Sequence, residues 1–375
     1  MRHRLLATAA LVGFAVAGTA HAATSPLEVT IGGSVDFIAG TSHQSRSSGV
    51  TNPTSGDFES LYELSFGVTG KSASGVEYGG NLAVDNYPTL MGGFEGMGSS
   101  FAIAEADIFM SGAFGKIILG DFRGVTDIAV TTPVVGEGQV LGRYTDFLDS
   151  TAFAKGFVTG IDGDDSSTNV SYFTPTVGNE THEVQVGISY VPDFGGYGSD
   201  VKRVQTGAYK NMIKGVVAYT GNFKAVTAGL SGDIINSVTS NESTRRDFTA
   251  FGIGAQAAIQ KFTLGVNYRN LGHFNMTEGQ NKEQQLFGAG ATYEFDKVGV
   301  GISYLGGEGY STDLTVQGSA PNAYIKSFNT YGVGGVYTWA PGLTTNADAV
   351  LFGQKDEAGV RNDGYVLLVS QKLTF

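Results

Sequence analysis

The feature that most restricts this chain is an alternation of apolar and polar residues with a period of two, repeated from one end to the other. Leu27, Val29, Ile31, Val35 and Phe37 alternate with Glu28, Thr30, Ser34 and Asp36. Val184, Val186, Ile188 and Tyr190 alternate with Glu183, Gln185, Gly187 and Ser189, and Phe262, Leu264, Val266 and Tyr268 with Thr263, Gly265, Asn267 and Arg269. Phe287, Ala289, Ala291, Tyr293 and Phe295 repeat the device. Successive residues of a strand point to opposite faces, so each segment reads as a strand with one apolar and one polar side. No 3.6-residue stripe is sustained after residue 22, which rules out a mainly helical fold.

Counting these segments gives sixteen strands, at 27–39, 58–70, 76–86, 100–112, 116–121, 168–174, 182–191, 209–220, 224–232, 247–259, 261–271, 283–295, 298–305, 327–338, 343–353 and 363–375. Their connections alternate between tight turns, such as Gln260–Lys261 and Asp296–Lys297, and long polar stretches, such as 40–57 and 306–326. A soluble sandwich of this length would use Greek-key crossings and bury its apolar faces between two sheets. Here nearly every strand has an aromatic-ended apolar face and a face of Gly, Ser, Thr, Asn, Glu and Lys. A barrel with lipid outside and water inside accounts for that, and closure satisfies every backbone group. With 56 glycines in the chain, those on inward faces are expected to keep a lumen open or to let strands bend. The expected architecture is an all-β transmembrane antiparallel barrel over residues 23–375.

Residues 1–22 read as a secretory signal peptide. Arg2 and Arg4 precede an apolar run from Leu5 to Ala17, and Ala20-His21-Ala22 supplies the small residues of a cleavage site. Without the leader's two arginines, 21 Lys+Arg face 35 Asp+Glu, a net charge of −14. Such a balance disfavours nucleic acid as a partner. There is no cysteine, so disulfides do not hold an exported chain of this kind together. No apolar stretch after the leader is long enough for a transmembrane helix.

At this point the chain resembles the Gram-negative general porins of the alphaproteobacterial type. The likeness rests on the opening "EVTIGGSVDF", the hairpin "ADIFMSGAFGKIILGDFRG", and a terminal strand ending in Phe375. The resemblance implies a homotrimer in the outer membrane, in contact with membrane lipid and lipopolysaccharide, passing small hydrophilic solutes and ions. It implies that the third long loop folds inward to narrow the pore, and that Phe375 is a C-terminal assembly signal. The residues point to the same loop, approximately 121–167, the longest interval without clean alternation. Its candidates for shaping the constriction are Asp121, Arg123, Asp127, Glu137, Arg143, Asp146 and Asp149.

Two departures from better-known members bear on function. Where their inward loop often carries Pro-Glu-Phe-Gly-Gly, this chain has Pro133-Val134-Val135-Gly136-Glu137-Gly138. Where their early strands present arginines to the pore, the polar faces here give Glu63, Glu77, Asp85, Glu105 and Asp107. Basic candidates for the pore wall come later, at Lys210, Lys214, Arg246, Arg269 and Lys372. A net-negative constriction with a preference for cations is therefore expected. The alternatives are a substrate-selective channel and a structural or adhesive secreted β-protein.

Catalysis is not expected. After the leader only His43, His182 and His273 remain, all in predicted loops or turns. His182-Glu183 begins like a zinc-protease helix, but Val186 stands where the second histidine belongs. Asp162, Asp164 and Asp165 form a weak calcium candidate that lacks the further oxygen ligands such a site needs. No cofactor is expected.

Overall fold

A computed structural model describes residues 26–45, 56–86, 102–136, 143–148, 167–194, 209–240, 244–310 and 324–375. The proposed leader, Glu137, Asp149 and the Asp162, Asp164 and Asp165 group lie outside the described residues.

The strands are β1 (Glu28–Gln44), β2 (Gly56–Lys71), β3 (Glu77–Asp85), β4 (Ala102–Gly112), β5 (Gly115–Asp121), β6 (Thr168–Phe173), β7 (Val177–Gly178), β8 (His182–Asp193), β9 (Tyr209–Phe223), β10 (Val226–Thr239), β11 (Phe248–Ile259), β12 (Phe262–Asn270), β13 (Gln285–Phe295), β14 (Val298–Tyr310), β15 (Tyr324–Ala340), β16 (Leu343–Asp356) and β17 (Arg361–Thr374). Each pairs antiparallel with its neighbours, and β17 pairs with β1, so the sheet closes. β6 and β7 both pair with β8 and act as one wall strand. Pro175 lies in the gap between them and has no N–H to give the ladder. The barrel therefore has sixteen wall strands.

Several strands run past their expected ends at the long-connection rim. β1 reaches Gln44, β10 reaches Thr239 and β14 reaches Tyr310. Alternation weakens there because the outer face leaves the apolar zone, so the period-two signal fades while backbone pairing continues. At the opposite rim the turns are tight. Lys224, Gln260 and Asp296 adopt φ of 43°, 54° and 52°, the left-handed backbone that two-residue hairpins need to match strand twist.

The outer face carries the apolar residues. Ile302 and Val333 are 59% exposed and Leu351 60%, which is affordable only against lipid. Two aromatic belts bound this zone. Near the tight turns lie Phe262 with Tyr293, ring centroids 4.4 Å apart, and Tyr337 with Trp339 at 4.7 Å. Nearer the other rim lie Phe287, Tyr304 and Tyr331 in sequence. In β17, Tyr365, Leu367, Val369, Leu373 and Phe375 face outward, with Ser370 and Lys372 inward. Phe375 exchanges backbone hydrogen bonds with Gly33 at 2.9 and 3.0 Å, closing the seam. Gln371 breaks the apolar run of this face, yet it is accommodated. It accepts from the Thr345 hydroxyl at 2.6 Å and donates to the Thr344 carbonyl, while Trp339 Nε1 donates to Thr345.

The inner face is layered. Toward the long-connection rim it is apolar and buried, with Ile38, Leu61, Met212, Ile235, Phe248, Phe328, Phe352 and Leu368 packed with Tyr144, Phe194 and Phe274 from the connections. Below this tier, β11 to β14 present glycines and small polar side chains, on which the third long connection lies.

Candidate functional site

The third connection enters the lumen and follows the wall in strand order. It leaves β5 at Asp121, whose carboxylate accepts from the Thr168 hydroxyl. Asn169 binds the Phe122 carbonyl, Ser189 Oγ accepts the Val125 N–H at 3.0 Å, and Lys214 Nζ donates to the Arg123 carbonyl at 3.3 Å. Val130 N–H then donates to Ser231 Oγ at 2.7 Å. Thr132 donates to the Asn267 side chain, Val135 lies over Gly301, and Gly136 lies against Asp348. The segment Arg143–Phe147 runs beneath the opposite arc. Tyr144 OH meets Thr330 Oγ1 at 3.0 Å, and the Phe147 carbonyl accepts from Ser42 Oγ at 2.6 Å. Burial raises the Tyr144 hydroxyl above its ordinary tyrosine pKa, so this contact stays neutral. Asp146 is half-buried in the same segment.

Glycines make this path possible. A Cβ on Gly187 would stand 2.7 Å from Val125, one on Gly254 3.0 Å from Val130, and one on Gly265 2.7 Å from Pro133. On Gly290 it would meet the Pro133 carbonyl oxygen and Thr132. The expectation that inward glycines keep the lumen open is thus revised for these positions. They form the bed on which the loop rests, and the loop narrows the lumen from that side.

The opposite arc keeps its side chains. Glu63 and Asp85 are register partners on the inner faces of β2 and β3. Asp107 accepts from Asn81 Nδ2 at 3.2 and 3.3 Å. Glu105 and Asp107 lie two residues apart on the inner face of β4, and Asp107, Arg123 and Asp127 are near enough to act on Glu105 electrostatically. Arg123, Asp127 and Asn81 are exposed to the lumen water. Glu77 stands on the same inner face at the tight-turn rim, opposite Ser111.

The five basic candidates are distributed differently from the expectation. Lys210 is not on the inner wall. A register shift between Asn236 and Val238 pairs it with Val238 on the outward face, where Asn211, at φ 50°, absorbs the extra residue. Arg246 belongs to the connection between β10 and β11, where its guanidinium binds the Gln280 carbonyl and its N–H the Met276 carbonyl. The expected strands 224–232 and 247–259 already leave Arg246 between them, so alternation gives it no place on the pore wall. Lys214 is inward but only 1% exposed, beneath the root of the loop. Arg269 is inward and ion-paired to Asp233 at 3.0 Å, the two reaching across Gly252 from β12 and β10. Lys372 is inward, opposite Asp36 in the register. Lys116, not singled out from the sequence, lies over the Phe109 ring at 4.6 Å. Among the described residues no group of three His, Asp or Glu is placed to hold a metal.

Comparison with known proteins agrees with this architecture. A family model described as Gram-negative porin matches residues 7–357. No curated protein sequence matches the chain. Among solved structures, it is similar to the outer membrane channel DcaP of Acinetobacter baumannii, with 12% identity over 93% of this chain and 97% of that one, at a TM-score of 0.60. Salmonella typhi OmpF, solved with daunomycin, gives 13% identity over 93% and 98%, also at 0.60. The trimer form of OmpT of Vibrio cholerae gives 10% identity over 92% and 99%, at 0.54. A closed sixteen-strand wall, an apolar outer belt and a loop folded into a water-lined lumen converge with the family match: this chain belongs to the Gram-negative porins, outer-membrane channels for passive diffusion.

Proposed function

We propose that this channel carries cations in preference to anions. One observation carries the reading: the arc that the loop leaves uncovered carries Glu63, Asp85, Glu105 and Asp107 on its inner face, and Asp127 and Arg123 from the loop stand near enough to act on Glu105. Lys214 and Arg269, which also face inward, are held by the loop root and by Asp233. A carboxylate-lined constriction with low-dielectric walls concentrates cations and repels anions. The measurement is the reversal potential of the purified protein in a planar bilayer under a potassium chloride gradient. The wild-type sign is expected to be cationic, and Glu105→Gln with Asp107→Asn moves the potential toward zero. An anionic wild-type sign would overturn the reading. A homotrimer accords with the trimer form of the OmpT neighbour, and residues 1–22 as a leader and Phe375 as an assembly signal complete the proposal.

A further inference from the structure

The connection between β12 and β13, residues 271–284, buries apolar side chains. Leu271 is 4% exposed, Phe274 5% and Met276 0%, whereas connections ordinarily run over the surface with their backbone in water. The Phe274 ring stacks on Tyr209, the first residue of β9, with centroids 5.7 Å apart. It meets Phe248, the first residue of β11, at 5.2 Å. Phe248 shares the inner face of β11 with Ala250, while Phe251 on the other face is exposed. Phe274 therefore stands inside the barrel mouth. Phe194, just beyond β8, joins the cluster at 6.2 Å. From β12 to β9 is three interstrand steps, about 14 Å, so the connection reaches back past β11 and β10 on the lumenal side.

Polar contacts fix it there. Gln284, 2% exposed, donates from Nε2 to the Gly272 and Phe274 carbonyls at 3.2 and 2.7 Å and accepts the Tyr310 N–H at 2.9 Å. A buried polar side chain with its groups engaged in this way rigidifies what it joins. Tyr209 OH accepts the Asn275 N–H at 2.6 Å, and Arg245 Nη1 donates to the Asn275 carbonyl at 2.8 Å. Arg245 and Thr277 form an isolated antiparallel bridge, with the Arg246 N–H on the Met276 carbonyl at 2.8 Å. Six residues along β11 from Phe248, about 20 Å down the strand, Gly254 carries Val130 of the third connection. A solute entering along this side meets two layers in series, the β12–β13 connection at the mouth and the third connection below it.

We propose that the β12–β13 connection is a second, fixed size filter at the outer mouth of the channel, and that Phe274 is the residue that seats it. Long connections of outer-membrane barrels face outward from the cell, so this layer screens solutes before they reach the third connection. Its seat is aromatic and amide, whereas the third connection brings Arg123 and Asp127 close to Glu105. The outer layer accordingly acts on size, and the sign of charge is left to the inner one.

The chain has no cysteine, which permits a reversible test on the full-length protein. Partners in an antiparallel bridge have Cα atoms about 4.5–5.5 Å apart, within the span of a disulfide. The F274A/R245C/T277C variant removes the aromatic seat and the Arg245 contact and supplies a crosslink in their place. It is reconstituted in liposomes and planar bilayers with the two thiols reduced or oxidised. Reduced, it is expected to admit raffinose, relative to arabinose, severalfold faster than the wild type in osmotic swelling, and to show a larger single-channel conductance. Oxidised, the same polypeptide returns to wild-type swelling and conductance, which also reports that the barrel has assembled. Equal size limits in the reduced and oxidised forms overturn the proposal. The reversal potential under a potassium chloride gradient is expected to stay at the wild-type value in both forms, whichever sign that value has. A potential that moves on reduction would mean that the connection works by propping the third loop, and would overturn its role as a filter of its own.

Discussion

From β8 to β14 the inner wall gives up side chains where the third loop lies, with Gly187, Gly254, Gly265, Gly290 and Gly301 beneath Val125, Val130, Thr132, Pro133 and Val135. From β2 to β4 the wall at the lumen is carboxylate and amide: Glu63, Asp85, Asn81, Glu105 and Asp107. One arc is shaped to receive a chain, the other to face water. Interior atoms pack at near-crystalline density, so the loop can bring Val130 and Pro133 this close to the wall because the wall there is glycine, while Ser189, Ser231 and Asn267 beside the glycines hold it by hydrogen bonds. On the other arc the carboxylates keep their side chains and meet polar partners: Asp107, 6% exposed, accepts from the amide of Asn81, which is itself exposed. The path of the loop therefore follows from which strands carry glycine inward, while Glu63, Asp85, Glu105 and Asp107 lie on strands that do not.

Filling the bed is the strongest way to break that division. Gly254→Leu together with Gly290→Leu directs side chains into the Val130 and Pro133 backbone. Overpacking costs about 1–3 kcal/mol at each site, and more where the neighbour is backbone, which exceeds the hydrogen bond that Ser231 gives the loop, worth about 1 kcal/mol. The loop is expected to lift from the wall, raising single-channel conductance and the size limit for neutral solutes. Unchanged conductance in correctly assembled barrels would show that the glycines do not set the loop's position.

The second test removes the ion pair that stands beside the bed. Asp233 is 2% exposed at its side chain and Arg269 16%. Arg269→Ala leaves a buried carboxylate without its guanidinium, and breaking such a pair typically costs about 3–5 kcal/mol. A fall in the midpoint of denaturant unfolding is expected, with ion selectivity changing less than it does when Glu105 and Asp107 are neutralised. If selectivity moved as much, Arg269 would have to be counted as part of the open pore, and the contrast between the arcs would weaken.

Much of the fold was legible because lipid imposes a one-residue rule on the outer face. The alternation of Leu264, Val266 and Tyr268, or of Leu367 and Val369, is a direct imprint of that solvent. The inner face obeys no single solvent. It meets apolar packing near one rim, a loop backbone in the middle and water elsewhere, so Leu286, Gly290 and Glu294 occupy the same face of β13 for three different reasons. Glycines at loop contacts and glycines at bends look alike in sequence, and only the path of the loop separates them. Lys210 was misplaced by a bulge that no periodicity announces, since one extra residue exchanges the faces. Arg246 falls between the expected strands 224–232 and 247–259, where alternation assigns no face, and its contacts with Gln280 and Met276 lie in that connection. The pairing of Arg269 with Asp233 could have been suspected only by aligning β10 to β12 through Gly252, an alignment that strand counting does not supply.

The smallest expected effect concerns the far end of the loop, where it leaves the glycine bed and rests on side chains instead. Tyr144 is fully buried, its hydroxyl on Thr330 and its ring 6.4 Å from that of Phe352. Tyr144→Phe keeps the ring contact and removes one buried hydrogen bond, for a loss of about 1 kcal/mol and little change in conductance. The pH dependence distinguishes this anchor from a mere filler. Burial raises the hydroxyl's pKa, so below the ordinary tyrosine value of about 10 neither the folded nor the unfolded chain ionises there, and stability is independent of this group. Above it the unfolded chain releases a proton that the folded chain retains, so the wild type loses stability as pH rises. Tyr144→Phe should abolish that part of the alkaline slope, measured as the difference in unfolding midpoint between the two proteins at neutral pH and at alkaline pH. A gap between them that stayed constant across this range would mean that Tyr144 reaches water in the folded channel, and that the loop's far end is held less closely than the end lying on glycine.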